Sequence, residues 1–145
     1  MDSSDGSDQL GTESSGPEVL LRMLVENFVY RHGNALAVTL LCGGRIIAGE
    51  IVTPHRWTTE MKSFVASGHG TAVEHMLETL VAFGDATATP AGLPVADQIS
   101  TFYMINAAVA LTGDAVAPTS VFRRPWAVQA GQVAAWSMGT VLPPT

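Results

Sequence analysis

Alternation of apolar and polar residues around a Gly-Gly pair is the clearest pattern in the chain. From Leu36 to Thr53, apolar residues recur at every second position on both sides of Gly43-Gly44. Two consecutive glycines tolerate positive φ at both central positions of a tight turn. The pattern therefore predicts a β-hairpin with a two-residue connection.

The predicted turn also fixes which residues face each other across the hairpin. Directly opposite residues share one face of a sheet, so four pairs form an apolar face and three pairs form a more polar face. The apolar-face pairs are Leu36 with Ile51, Val38 with Gly49, Leu40 with Ile47 and Cys42 with Arg45; the other pairs are Ala37 with Glu50, Thr39 with Ala48 and Leu41 with Ile46. A slip of one residue would turn the whole apolar set to the other side. Gly49 opposite Val38 further predicts a sharp bend, as where a sheet curls.

Helical spacing appears before and after the hairpin. A helix over about 17–31 is predicted between Pro17 and Gly33, packed on the sheet by an apolar stripe. The members of that stripe are Leu20, Leu21, Leu24, Val25 and Phe28. A helical insertion is predicted over 57–83, with a break at 67–70, a capping box from Thr71 to Glu74 and an end at Gly84. Residues 84–98 are predicted to be a mobile loop, because they exceed the usual loop length.

Strand character returns at Phe102. Tyr103, Ile105, Ala107, Val109 and Leu111 alternate and are expected to share one face, although a bulge near Asn106-Ala107 is an alternative that shifts their register. Two more strands are predicted over 121–128 and 133–141, joined through Ala130-Gly131-Gln132. The order of elements predicts an α+β fold, in which a small, strongly curved antiparallel sheet carries an N-terminal helix and a helical insertion between strands.

Composition indicates that the chain forms a single domain preceded by an acidic tail. The 145 residues suit a single domain, and 47% hydrophobic residues supply an ample core. The formal charge is −6, and five acids lie in the first 18 residues, which hold no Lys or Arg. Residues 1–16 are poor in apolar groups and are predicted to be a disordered acidic tail. Residues 17–145 are therefore predicted to form the single α+β domain, near neutral in charge.

The N-terminal sequence, the single cysteine and the uncharged C-terminal segment indicate the cellular compartment. The N-terminus lacks the basic start and apolar core of a secretion signal. Cys42 is the only cysteine, which excludes an internal disulfide and fits a reducing cytoplasm. The last 21 residues, from Pro125, carry no side-chain charge. Their prolines and glycines argue against a membrane span and favour a pair of antiparallel strands.

Candidate catalytic and metal-binding residues are few. His75 and Glu78 are three apart on the predicted second helix, but structural zinc sites need more Cys and His ligands, and a solvated helix face is the preferred interpretation. Cys42 lies at a strand end, with no helix N-terminus to lower its pKa, so a buried structural thiol is favoured over a nucleophile. Gly43-Gly44 lacks the Gly-Lys-Ser/Thr ending of a phosphate loop. No catalytic residue, metal site or cofactor is therefore predicted.

Arg123-Arg124-Pro125-Trp126 is the one basic and aromatic cluster in the predicted domain. Arg123, Arg124 and Trp126 are the candidate partner contact, since guanidinium groups bind carboxylates and phosphates. The alternative is a surface turn with Trp126 tucked into the core. Two arginines on a near-neutral domain fall short of the broad basic face that nucleic-acid binding needs.

Taken in order, these segments resemble the accessory gas vesicle protein family GvpU. The resemblance covers roughly residues 19–142 and consists of hydrophobic and glycine patterns. It comprises Tyr30-Arg31-His32-Gly33 before the first strand, Gly44 to Glu50, Phe102-Tyr103-Met104-Ile105, and Val133-Ala134-Ala135-Trp136-Ser137-Met138-Gly139. The chain departs from the family pattern where Ala134-Ala135 replaces Asp-Gly and where Arg123-Arg124 replaces Trp-Arg.

The resemblance implies a cytoplasmic, non-enzymatic accessory protein that helps gas vesicle assembly or clustering. Its implied partners are vesicle shell or other accessory proteins and further copies of itself, with no membrane and no cofactor. The strand–glycine–strand pattern is also similar to Sm-like barrels, which often form rings and bind RNA. An Sm-like barrel is thus an alternative to the open curved sheet, and RNA binding is the alternative function. Gly43, Gly44, Gly49 and Gly139 are expected to be structural glycines.

Overall fold

A computed structural model describes residues 16–66, 72–88, 94–111 and 123–139. Residues 1–15 of the predicted tail, the predicted helix break with Thr71 and residues 89–93 of the predicted loop lie outside these ranges. So do residues 121–122 and 140–141 of the last two predicted strands. The predicted α+β class is confirmed, and the described residues form three helices and a five-stranded antiparallel sheet. The strands are β1 (Leu36–Cys42), β2 (Arg45–Val52), β3 (Thr101–Leu111), β4 (Arg124–Gln129) and β5 (Val133–Met138). The helices are α1 (Glu18–Leu24, continuing as a π-helical segment, Val25–Tyr30), α2 (Pro54–Ala66) and α3 (Ala72–Ala88).

The hairpin of β1 and β2 has the predicted register at all seven pairs, from Leu36 opposite Ile51 to Cys42 opposite Arg45. Gly43 and Gly44 have φ angles of 56° and 78°. Both glycines therefore adopt the left-handed conformation that the two-residue turn requires. Turn chemistry and side-chain alternation agree in this segment, which explains why its register follows from local sequence.

The sheet has the strand order β4-β3-β2-β1-β5, so β4 and β5 form its two edges. Among the strands that the structure describes, β4 pairs only with β3 and β5 only with β1. The described sheet is therefore open, and the edges do not meet to close a barrel.

A bulge in β3 changes which of its residues share a face. Asn106 has a φ of 52°, and the register shifts between Met104 and Ala107. Ala107 consequently joins the main core, while Tyr103 pairs with Val52 on the opposite face. The expectation that Tyr103, Ala107 and Val109 share one face is wrong, and the alternative with a bulge is confirmed. The extra residue of a bulge reverses the alternation beyond it.

Gly49 lies opposite Val38, as predicted, and accommodates this bulge. A Cβ atom on Gly49 would lie 2.7 Å from Cβ of Ala107 and 3.0 Å from the carbonyl oxygen of Ile105. Only glycine lets the two strands approach this closely.

Helix α1 covers one face of the sheet, called the near face below. Leu21, Val25 and Val29, spaced four residues apart, are buried in this core. Leu20 and Phe28, which were predicted to pack on the sheet, are instead 57% and 42% exposed. The stripe prediction is therefore correct for Leu21, Leu24 and Val25 and wrong for Leu20 and Phe28. Two adjacent leucines at 20 and 21 do not reveal which of them faces inward.

Helices α2 and α3 cover part of the opposite face, called the far face below. The ring of Trp57 contacts the rings of Phe83 and Tyr103, with centroid distances of 6.0 Å and 5.2 Å. Nε1 of Trp57 donates a hydrogen bond of 3.0 Å to the carbonyl oxygen of Trp126. The helical pair is therefore attached at the β3–β4 side of the sheet.

The bounds of the helical insertion differ from the prediction. Helix α2 begins at Pro54, and α3 continues through Gly84 to Ala88. Residues 84–88 of the predicted loop are therefore helical, because one glycine costs a helix only about 1 kcal/mol. A short 3₁₀ turn, Ala96–Gln98, leads into β3.

Candidate interaction surfaces

Two arginines of the predicted partner contact lie at the start of β4. Nη1 of Arg123 donates a 3.2 Å hydrogen bond to the carbonyl oxygen of Asn106, which ties this half-buried side chain to the bulge. Arg124 is exposed, and its guanidinium carbon lies 5.8 Å from the centre of the Phe64 ring, within cation–π range. The cluster therefore presents Arg124 outward, while Arg123 holds the local backbone.

Trp126, the third member of that contact, is half-buried and packs against the main core. It lies opposite Met104 on β3, and its carbonyl oxygen accepts the hydrogen bond from Trp57. Its own indole nitrogen is buried and has no hydrogen-bond partner among the described residues. Much of this side chain thus serves packing, as in the alternative that the sequence left open.

The predicted structural glycines occupy the turn, the bulge contact and the end of β5. Gly139 has a φ of 83°, and its N–H donates to the carbonyl oxygen of Ala37 at 2.9 Å. The hydroxyl of Thr39 donates to the carbonyl oxygen of Gly139 at 2.8 Å. These two bonds fasten the end of β5 to β1.

Cys42 is a buried thiol, and His75 and Glu78 form an exposed pair on α3. Burial raises the pKa of the Cys42 thiol, which disfavours the nucleophilic thiolate. Nδ1 of His75 lies 3.7 Å from Oε1 of Glu78, and both side chains are at least 80% exposed. No group of three His, Cys, Asp or Glu side chains within the described ranges is placed to hold a metal ion.

A shallow apolar groove, which was not predicted from the sequence, lies on the far face. Because α2 and α3 attach at the β3–β4 side, no described helix covers the far face at Leu41, Ile46 and Ala135, whereas Ala48 and Val52 of β2 are buried on that face. A groove of about 380 Å³ lies there, called the far-face groove. Its lining residues are Thr39, Leu40, Leu41, Ile46, Ala135, Trp136 and Ser137.

The far-face groove carries no charged side chain. Leu41 and Ile46 face each other in the hairpin and are half-buried. Ala135 and Ser137 are exposed on the neighbouring strand. The available sequence signal was the Leu41–Ile46 pair on the face expected to be more polar. Sequence alone did not show that the helices would cover the other half of that face.

A smaller cavity of about 150 Å³ lies near the start of β3, between Tyr30 and Tyr103. Burial, followed by the nearby Tyr103, raises the pKa of the Tyr30 hydroxyl to about 12. This hydroxyl therefore stays protonated at neutral pH and can donate a hydrogen bond, but it is not a base. The remaining lining residues are Pro94, Gln98, Ile99, Ser100 and Thr101.

Comparison of the chain with protein-family models, curated proteins and solved structures found no match. Among the described helices, none is both long enough and apolar enough to cross a membrane.

Proposed function

We propose that this chain is a non-enzymatic accessory protein of gas vesicles, acting in the cytoplasm by protein–protein contact in vesicle assembly or clustering. The far-face groove is the observation that carries this proposal. It offers the half-buried apolar side chains of Leu41 and Ile46 on the sheet surface, and apolar surface at a concave site is the usual chemistry of a protein contact. The GvpU-like pattern supplies the kind of partner, a vesicle shell protein or another accessory protein.

The placement of the GvpU-like segments gives further support. The helix, β1, β2, β3 and β5 carry them, and all five belong to one sheet or pack on it. Three glycines of the pattern, Gly33, Gly44 and Gly139, have positive φ angles. The pattern thus coincides with positions that the backbone conformation restricts to glycine or nearly so.

Within this proposal the groove binds an apolar segment of the partner, and the basic cluster binds its carboxylates. Leu41 and Ile46 provide the apolar contact. Arg124 is the exposed member of the basic cluster and contacts the carboxylate, while Arg123 and Trp126 orient the strand that carries it. A charge-assisted hydrogen bond from Arg124 would add to apolar burial.

Cosedimentation with purified gas vesicles tests the proposal. The wild-type chain is expected to pellet with vesicles at low and moderate salt, and Leu41→Lys is expected to weaken binding at least tenfold. Val81→Lys is the matched control, because Val81 is also apolar and 45% exposed but lies on α3 away from the groove. No binding of the wild type at either salt concentration would count against the proposal.

The second candidate is an RNA-binding module of Sm-like architecture. The neighbouring Arg123 and Arg124 favour it, because basic side chains contact phosphates. It predicts a salt-sensitive affinity for single-stranded RNA that falls when both arginines are replaced by alanine. Absence of binding at low salt would remove this candidate. Its barrel would also need β4 and β5 to approach, whereas they are opposite edges of the described sheet.

A further inference from the structure

The two edges of the sheet differ in how they are protected from other strands. Edge strands expose unpaired backbone groups, and proteins usually block them with charged residues, proline or a covering segment. Strand β4 has all three, since it begins Arg124-Pro125 and α2 lies against it, with Trp57 bonded to Trp126. Strand β5 reads Val-Ala-Ala-Trp-Ser-Met, without charge or proline.

Among the described residues, no strand pairs with β5 on the side away from β1. In an antiparallel pair, residues alternate between those bonded to the partner strand and those that point away. The bond from Gly139 N–H to Ala37 places Gly139 in the bonded set, so Ser137 belongs to it as well. Trp136 and Met138 therefore direct their N–H and C=O groups away from β1. No described residue pairs with them there.

The side chains of β5 suit a close approach. Ala134, Ala135, Ser137 and Met138 are exposed, and Met138 reaches 58% exposure. Trp136 is fixed, because its Nε1 donates to the carbonyl oxygen of Pro17 at 2.6 Å. The edge thus combines small side chains with one anchored ring and offers no ionic group that would need to be desolvated.

We propose that β5 pairs antiparallel with β5 of a second copy of this chain about a two-fold axis, joining two sheets into one of ten strands. We favour a second copy as the partner because the backbone groups of this edge complement themselves. A two-fold axis places each outward N–H of one β5 opposite an outward C=O of the other. Since β5 is uncharged, two copies meet without like-charge repulsion. The contact is isologous and closes as a dimer.

The backbone allows only a few registers between the two β5 strands. The outward residues must oppose one another, and an axis at Trp136 sets Trp136 opposite itself. Met138 then lies opposite Ala134 of the other copy, at the point where the β1–β5 register shifts, so a long side chain meets a small one. Ala135 and Ser137 both lie on the far face. The pairing would therefore bring the far-face grooves of the two copies side by side.

Solution mass with charged edge variants tests the proposal. The wild-type chain is expected to elute in size-exclusion chromatography with light scattering at about 30 kDa, twice the 15.2 kDa chain mass. The variant Ala134→Lys with Met138→Lys sets lysines opposite each other across the axis and is expected to be monomeric. The matched control is Ala127→Lys with Gln129→Lys on β4, where both residues are also exposed; it should remain dimeric.

Three results would overturn the proposal: a monomeric wild type at 100 µM, a β4 variant that dissociates equally, or a closed assembly larger than a dimer. The last two would indicate β4–β5 pairing instead. Circular dichroism checks that each variant is folded. Amide hydrogen exchange supplies a second readout, because the amides of Trp136 and Met138 should gain protection as protein concentration rises. The dimer does not rest on the vesicle proposal, so either one can fail alone.

Discussion

Glu26 joins two parts of the chain that are far apart in sequence. One carboxylate oxygen accepts a 2.8 Å hydrogen bond from Nη2 of Arg31, and the other accepts a 2.9 Å bond from the N–H of Ala96. The hydrogen bond from Arg31 is the main reason that the pKa of Glu26 lies below its ordinary 4.5; the bond from Ala96 adds to the effect, and partial burial opposes it. The ionised side chain thereby holds the 3₁₀ turn before β3 against α1.

The pH dependence of folding stability follows from that lowered pKa. A carboxylate with a lower pKa in the folded state stabilises the fold above its unfolded-state pKa, and this contribution is lost as pH falls through the folded-state value. Glu26→Gln is therefore expected to lower the free energy of unfolding at pH 7, with the difference from wild type shrinking towards pH 3. Urea denaturation at both pH values measures it. An equal difference at the two values would contradict the electrostatic explanation.

Gly49 shows how a single hydrogen atom in place of a side chain sets the sheet geometry. Gly49→Ala is expected to lower the free energy of unfolding by about 1–3 kcal/mol, the usual range for overpacking, because the new methyl group would meet Cα and Cβ of Ala107 within 2.8 Å. Gly131→Ala is the matched control, since nothing lies within 4 Å of its added Cβ. Thermal or urea unfolding measures the free energy of unfolding of both variants. A loss in Gly49→Ala alone would show that the close approach of the two strands is responsible.

At the scale of elements, local sequence specified the hairpin and left α1 and β3 ambiguous. The β1–β2 register follows from the Gly43-Gly44 turn and the alternation beside it, which depend on adjacent residues alone. In β3 the register depends on Asn106 adopting positive φ opposite Gly49, a contact between distant segments. In α1 the apolar stripe was detectable from the sequence. Which side of the helix faces the sheet, however, depends on packing against the sheet.

The rotation of α1 gives a direct comparison of two adjacent leucines. Leu21 is fully buried and Leu20 is 57% exposed. Leu21→Ala is expected to lower the free energy of unfolding by about 2–5 kcal/mol, as for other buried leucines. Leu20→Ala is expected to change it by about 0.5 kcal/mol or less. Equal losses in urea denaturation would show that the stripe predicted from sequence, which includes both residues, describes the packing better.

For the molecule as a whole, the sequence established the class and the order of elements but not the two-sided layering. The far-face groove exists because α2 and α3 attach at one side of the sheet, through Trp57, Phe83 and Tyr103. No local pattern encodes where a helical pair docks, since the decisive contacts join residues that are dozens of positions apart. The same difficulty applies to the candidate site: Arg123, Arg124 and Trp126 were visible as a motif, while their separate roles depended on Asn106, Phe64 and Trp57.

This layering also predicts unequal stability across the fold. Helix α1 buries three side chains in the main core, whereas the buried residues of α2 are Thr58 and Val65, and the helical pair depends on the aromatic cluster. Local opening is easiest where few apolar contacts must break. Trp57→Phe keeps a ring but removes the hydrogen bond to Trp126, so amide exchange is expected to accelerate in α2 and α3.

The amides of β1 and β2 provide the internal reference for that exchange measurement. Their protection should match the wild type, because Trp57 contacts neither strand through the bonds and ring pairs that hold the helical pair. Uniform acceleration across the molecule would mean that the helices and the sheet unfold as one cooperative unit. Selective acceleration would show that the helical pair opens separately, exposing more of the far face beside the groove while the sheet that carries it stays intact.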